Sequence, residues 1–562
     1  MHILNDTIKS RRINQMENIL LVEPDYNNKY PPIGLMKIAT YHKNKGDYVE
    51  FYKGKAPFTQ ISRMDRVYIT SLFTFHFDIT VDTVNHYLKY KSVDNVYFGG
   101  IAATLLPERF KESTGIRNLN GGQLTDSSII GYDDHVNIDE LPLDYDILDD
   151  ISYQYPAGDN FFIYATRGCP RKCGFCAVKT LEPQFRDTNK ILCQIKYIRS
   201  RFGDKRNVLL MDNNVLYSNE LKKIATDLET LDFVKDEPNF IPPNDFDIMI
   251  NKIRRRLDTR NTVASVNERL IVFLEEFKRR IKKSEILVQY NKAFEDLKNN
   301  SISLDVINEH EKFFHDVVEK YRIKKPLQRY VDFNQGIDAR LLDDEKMKLI
   351  SNLPIRPFRL AFDNIGDTKT YKDAFAIAYN HGIRHFSNYM LYNYEDTPKD
   401  LWNRLYTSIM LYKNTPGVKA FSFPMKYAPI DMIDRSYIGI GWNKKFLSAM
   451  NVILNVTKGV VAQEDDFFYK AYGKTPEEFK EILTMPNEFI KHRLFFEGKG
   501  FIDAWKAEYS KLCDDLRNLL INFLCDATIF PSPPTDLQSI IKYYSLTKYQ
   551  VETGKVKLEN LC

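Results

Sequence analysis

No stretch of this 562-residue chain reaches the roughly 18–20 consecutive apolar residues that a membrane-spanning helix needs. The opening segment, MHILNDTIKSRRINQMENIL, lacks both an apolar signal core and a small-residue cleavage site, so the sequence predicts a cytoplasmic protein with no membrane partner. Cysteine is scarce: there are seven, an odd number, and Cys193, Cys513, Cys525 and Cys562 stand alone. That pattern excludes a disulfide framework. An excess of one charge is also missing. The 79 Lys and Arg against 75 Asp and Glu leave a net charge of +4, too little for the whole molecule to be drawn to a polyanion. Internal repeats and low-complexity runs are absent. What is present is ordinary globular material, 43% hydrophobic and 27% charged, enough to bury a core. The length suggests about three domains.

From Asn18 to Gly100 short apolar strands alternate with helices. NILLVEP, YVEFYKG, RVYITSLFT and NVYFGG read as strands; IGLMKIATYHKNKG and ITVDTVNHYLKYK read as helices. This order predicts a parallel, doubly wound, Rossmann-like sheet over residues 1–115. Gly99–Gly100 follows a strand, where such sheets place ligand loops, although a tight turn is the more ordinary reason for a glycine pair. Residues 116–158 are polar and rich in turn residues, and read as a linker.

A second alternating region runs from 159 to 430. Its strands are FFIYATRG, NVLLMDNNVL, RYVDFNQ, FRLAFDN, HFSNYMLY and VKAFSFPM. Six βα-type units predict a partial (β/α)6 barrel. A charged, helical stretch at 235–325 interrupts it and reads as an insertion. Within 251–283 there are eleven Lys or Arg against four Asp or Glu. Arg254, Arg255, Arg256, Lys278, Arg279, Arg280, Lys282 and Lys283 form its positive stripe, which suits either a solvated arm or a nucleic-acid contact. Residues 431–562 read as mostly helical.

Three of the seven cysteines, Cys169, Cys173 and Cys176, fall within FFIYATRGCPRKCGFCAVKT, on a loop after a strand. Thiolates are soft ligands suited to iron–sulfur clusters, zinc or copper(I). A structural zinc site closes with four ligands, and this loop supplies three. No histidine occurs between His135 and His310, and the nearest other cysteine, Cys193, reads as an apolar position in a helix. Three thiolates leave a coordination position open for chemistry. The alternative is a non-catalytic, zinc-closed module that uses the basic insertion to hold nucleic acid.

The loop resembles the CxxxCxΦC signature of radical S-adenosylmethionine (SAM) enzymes, with Phe175 as the aromatic residue before the last cysteine. The resemblance implies that Cys169, Cys173 and Cys176 bind a 4Fe–4S cluster and that SAM is cleaved reductively to a 5′-deoxyadenosyl radical. It implies a low-potential electron donor, such as flavodoxin or ferredoxin, and a substrate that the sequence does not name. Other segments resemble the family strand by strand. LLMDNNV places Asp212 and Asn213 where the family contacts the SAM amino group, with Val215 in place of the usual Phe. NQGIDARLL places Arg340 where it would contact the SAM carboxylate or shape its pocket. LAFDNIGD places Asp363 and Asn364 toward the ribose. In YMLYNYEDTPKDLW, Asn393–Tyr394–Glu395–Asp396 replaces a glycine-rich element.

The front segment EPDYNNKYPPIGLMKIATYHKNKGDYVEFY resembles the cobalamin-binding domains fused to such barrels, and YFGGIAATLLPE resembles their later glycine-pair segment, with Ala102 in place of His. The resemblance makes cobalamin a candidate cofactor and cobalamin-dependent methyl transfer a rival reaction. The cobalt-ligating DxHxxG motif is absent, and His76 is the one histidine near that strand end. A methylthiotransferase is not expected, because residues 1–168 contain no cysteine. An auxiliary cluster is not expected either, since the remaining lone cysteines read as buried packing.

Overall fold

In the computed structural model, residues 16–299, 304–526, 532 and 534–561 are described. The first fifteen residues of the front domain and Cys562 lie outside that set. The chain divides into two compact units. The first holds residues 1–335, 348–356 and 430–434; the second holds 336–347, 357–429 and 435–562. Among the described residues no helix is long and apolar enough to cross a membrane.

The first unit begins with five parallel strands: β1 (Asn18–Glu23), β2 (Tyr48–Lys53), β3 (Arg66–Ser71), β4 (Val96–Gly100) and β5 (Asn118–Asn120). Their order in the sheet is β2-β1-β3-β4-β5. This is a doubly wound order, whose switch point between β1 and β3 opens a crevice beyond the strand ends. Local chemistry sets the units. The helix Ile33–Lys45 starts after Pro32, and Gly46 ends it at φ 86°, its N–H reaching the carbonyls of His42 and Lys43. A left-handed residue there closes the last turn at no steric cost. Alternate residues of the strands face opposite sides. Val67, Ile69, Val96 and Phe98 enter a core with Val84, Tyr87 and Phe110. The stretch expected to be only a linker contributes β5, a three-residue edge strand, followed by 3-10 turns at Ser127–Ile130, Ile138–Glu140 and Asp146–Asp150.

All six strands expected of the barrel are present, but not as one sheet. β6 (Phe161–Ile163), β9 (Asn207–Leu210) and β10 (Tyr330–Phe333) form a parallel sheet in the first unit. β7 (Thr166–Arg167) and β8 (Arg186–Asp187) form a small antiparallel ladder of their own. β11 (Phe358–Ala361), β12 (His385–Tyr392) and β13 (Lys419–Lys426) run parallel in the second unit, with the antiparallel β14 (Val461–Ala462) beside β13.

The expected insertion is helical. Asp245–Asp258, Ala264–Phe277, Ser284–Asn299 and Leu304–Tyr321 surround a core that includes Phe246, Ile253, Leu270, Leu274, Tyr290 and Phe314. Much of its basic stripe is used internally. Arg255 pairs with Asp146 at 2.9 Å, Arg256 with Asp150, and Arg254 with Glu311 at 2.6 Å. Lys252 and Arg269 both pair with Asp149. Arg279, Arg280, Lys282 and Lys283 are exposed.

The second unit ends in helices from Lys444 onward, packed about Tyr472, Phe489 and Trp505. The lone cysteines are less buried than the sequence suggested. Cys193 and Cys513 are exposed, and Cys525 is half-buried beside Asn443. Cys193 turns outward on its helix and donates to the Lys190 carbonyl.

Candidate metal centre

The cysteine loop hangs between β7 and β8, so the two-residue ladder closes its neck. Gly168 opens the loop at φ 77°, and a Cβ there would lie 2.2 Å from the Gln184 carbonyl oxygen. Only glycine allows that approach. Within the loop the Cys176 N–H donates to the Cys173 carbonyl at 3.2 Å. All three thiols, and Phe175 between the last two, are half-buried. Burial pushes the Cys176 thiol up, and the nearby Cys173 and Cys169 thiols add to that rise.

Three carboxylates form a collar around the neck. Asp212, at the end of β9, accepts from Ala165 N at 3.2 Å and from Thr166 Oγ1 at 2.7 Å, fixing the turn from β6 into β7. Burial pushes this carboxyl up to about 6, against the hydrogen bonds from Thr166 and Ala165. Glu182 accepts from Gly168 N at 2.6 Å and from Asn213 Nδ2 at 2.8 Å, and pairs with Arg167 at 2.9 Å. Asp139 receives Arg167 through two N–H groups, at 3.0 and 2.9 Å, and also Lys37 and Arg186, each at 3.0 Å. Burial would raise the Asp139 carboxyl, but Lys37 and Arg167 hold it below its usual range. Burial brings Lys37 down to about 8 despite Asp139. Such buried charges persist only when paired.

One further polar contact reaches a sulfur from a strand end. Asn214, 3% exposed, places Nδ2 3.6 Å from Cys169 Sγ. The backbone N–H of Arg171 donates to the same sulfur at 3.4 Å. Reading the sequence singled out Asp212 and Asn213 but not Asn214, Glu182 or Asp139. Asn214 lies in the same polar run, and no local pattern marks the other two.

The donor set bears on the choice of metal. Among the described residues the two close-set groups of three ligands, all within 4.8 Å of one another, are Glu17–His42–Asp47 and Asp296–Glu309–His310. The three thiols do not form such a group. A tetrahedral ion with Zn–S bonds of about 2.3 Å needs sulfurs about 3.8 Å apart. A wider triangle of thiolates on one loop fits a cluster, in which each sulfur holds a different iron.

The other expected site residues belong to the second unit. Arg340 is exposed, in the turn Ala339–Leu341, with Nε 2.7 Å from Asp338 Oδ1. Asp363, after β11, accepts from Leu391 N at 3.0 Å, and burial raises its carboxyl. Asn364 is exposed and caps the next turn, accepting from Gly366 N at 2.8 Å, which is ordinary strand-end capping. A residue absent from the sequence reading organises these ends. Arg404, fully buried on the helix Pro398–Lys413, donates to the carbonyls of Phe362 and Asp363 at 2.9 and 3.0 Å and pairs with Asp396 at 2.6 Å. Asn393 takes the left-handed conformation, φ 70°, at the point where the family's glycine-rich element lies. Its amide donates to the Tyr427 and Tyr437 carbonyls, both at 3.0 Å, and its oxygen accepts from Gly439 N. Asparagine is among the few residues that tolerate this backbone.

In the front domain a cavity of about 150 Å³ lies between the sheet face of Tyr68, Thr70, Tyr97 and Gly99 and the segment 122–139. The glycine pair lines it, yet packing already requires Gly100, whose Cβ would meet Ser71 O at 2.3 Å. His76 is stacked on Tyr26, with centroids 4.6 Å apart, and edged by Phe75. The DxHxxG motif is absent, and the ring contacts of His76 give it a packing role.

No family model and no curated protein matches the chain. Several solved chains are similar; one of them matches over 91% of this chain and 70% of its own, at 12% identity and a TM-score of 0.36. It is described as the apo, selenomethionine-labelled cobalamin-dependent S-adenosylmethionine radical enzyme OxsB.

Proposed function

We propose that the chain is a radical SAM enzyme, with Cys169, Cys173 and Cys176 as the ligands of a 4Fe–4S cluster. The observation that carries the reading is the set of three half-buried thiols on one loop, which are not drawn together within the 4.8 Å of a close-set ligand group. A cluster bound there would pass on one electron, taken from a low-potential donor, to split SAM into methionine and a 5′-deoxyadenosyl radical able to abstract hydrogen from a substrate. The chain's own residues hold and shield that centre. Gly168 and the β7–β8 ladder bring the loop to its neck. Glu182 and Asp212 fix the backbone on either side of Arg167, and Asp139 fixes its guanidinium. Half-burial of the loop limits water around the thiolates, which strengthens every polar contact made there.

Asn213 is the first unit's candidate for the amino group of SAM. Asp212 is engaged by Ala165 and Thr166, so its part is to hold the strand end. In the second unit Arg340, Asp363 and Asn364 are candidates by motif position. A low-potential one-electron donor is required as a partner.

Anaerobic reconstitution with iron and sulfide, followed by assay with SAM and dithionite, tests the proposal. It predicts about four irons per chain and formation of 5′-deoxyadenosine. A protein that takes one zinc, stays colourless and forms no deoxyadenosine would overturn it.

A further inference from the structure

We propose that Asn214 is a positioning residue that sets the reduction potential of the cluster by donating a hydrogen bond to Cys169 Sγ. The inference rests on the function proposed above. Three consecutive polar residues leave β9, and they divide the work. Asp212 fastens Ala165 and Thr166, Asn213 donates to Glu182, and Asn214 alone turns to a ligand sulfur. Its backbone, at φ −159° and ψ 74°, breaks from the strand, and its carbonyl accepts from Tyr217 N at 3.2 Å as the 3-10 turn Val215–Tyr217 begins. The amide is thereby held at 3% exposure, with Nδ2 3.6 Å from the sulfur.

A hydrogen bond to a ligating thiolate draws off part of its charge. The centre then accepts an electron more readily, so donors to the sulfurs raise the potential. Burial makes each donor count for more than it would in water. Cys169 has a second donor in the Arg171 backbone N–H, which the chain fixes and side-chain substitution leaves in place. Asn214 is therefore the adjustable half of this pair. A residue that only packed the strand end would alter stability or cluster loading and leave the potential of a loaded cluster unchanged.

The test uses the full chain, reconstituted anaerobically, as wild type, Asn214→Ala and Asn214→Asp. Iron and sulfide are counted, and the midpoint is then read by EPR-monitored redox titration without SAM. Both variants should load and become harder to reduce. Asn214→Ala loses one donor; Asn214→Asp loses it and places a carboxylate against the sulfur, so its midpoint should be the lower. The expected change is up to about tenfold in the reduction equilibrium for Asn214→Ala, about 59 mV for one electron, and more for Asn214→Asp. Loaded variants with the wild-type midpoint would overturn the assignment. So would loss of the cluster in both variants, which would make Asn214 a structural residue. Wild type that takes up no iron and sulfide fails the function itself; a loaded wild type beside unshifted variants fails only Asn214.

Discussion

The neck of the cysteine loop and the strand ends of the second unit hold polar residues by different means. Around the loop, Lys37, Arg167 and Arg186 all pair with Asp139, and Arg167 extends that network to Glu182. At the ends of β11 and β12 a single buried guanidinium, Arg404, ties two carbonyls and a carboxylate. The residues expected to face SAM there, Arg340 and Asn364, are exposed and capped locally. The backbone of the neck has separate anchors, Asp212 for Ala165 and Thr166 and Glu182 for Gly168, so no single residue holds all of it. A single clamp fixes its strand ends only as long as that one residue remains.

Removing a ligand should have the largest effect. Cys173→Ala should abolish both the cluster and SAM cleavage, with iron and deoxyadenosine at background; an intact cluster would sink the assignment. The single clamp comes next. Arg404→Ala leaves Asp396 buried without its partner, and thermal unfolding should show a loss of about 3–5 kcal/mol. A loss below about 1 kcal/mol would mean that the second unit spreads its load as the first does.

The collar also has a pH signature. Folded Asp212 keeps its proton to about 6, whereas an unfolded carboxyl loses its proton near 4. Between those values the native state binds more protons, so stability falls as pH rises and is level above the folded value. The fall is on the order of 2–3 kcal/mol. Asp212→Asn should flatten it, as read from urea midpoints between about pH 4 and 7; an unchanged slope would count against this origin. Gly168→Ala should follow, at about 1–3 kcal/mol of backbone strain, with reduced iron loading because Gln184 O must move. The smallest effect belongs to the exposed turn of the insertion. Lys282→Glu with Lys283→Glu should change stability by less than about 0.5 kcal/mol.

Much of this fold is legible in the sequence. Its strands are short apolar runs closed by turn residues, and the loop shows itself by the spacing of Cys169, Cys173 and Cys176. What stays hidden depends on contacts between distant residues. β5 is only Asn-Leu-Asn, too short and polar to show a period. The pairing of Arg255 and Arg256 with Asp146 and Asp150 joins residues more than a hundred positions apart, so a stripe that reads as a solvated arm or a nucleic-acid contact has part of its charge in an internal fastening. In Asp212–Asn213–Asn214 the sequence shows three polar residues. Which of them reaches a sulfur depends on the backbone turn after β9. Arg404 sits in the apolar text LWNRLYTSI, and an arginine on the buried face of a helix was the available signal for it.

The most direct measurement is the EPR spectrum of the reduced, anaerobically reconstituted protein before and after SAM is added. The account predicts a 4Fe–4S signal that SAM perturbs, because three thiolates leave one iron open to it. A protein with no iron–sulfur signal and one tightly held zinc would contradict it.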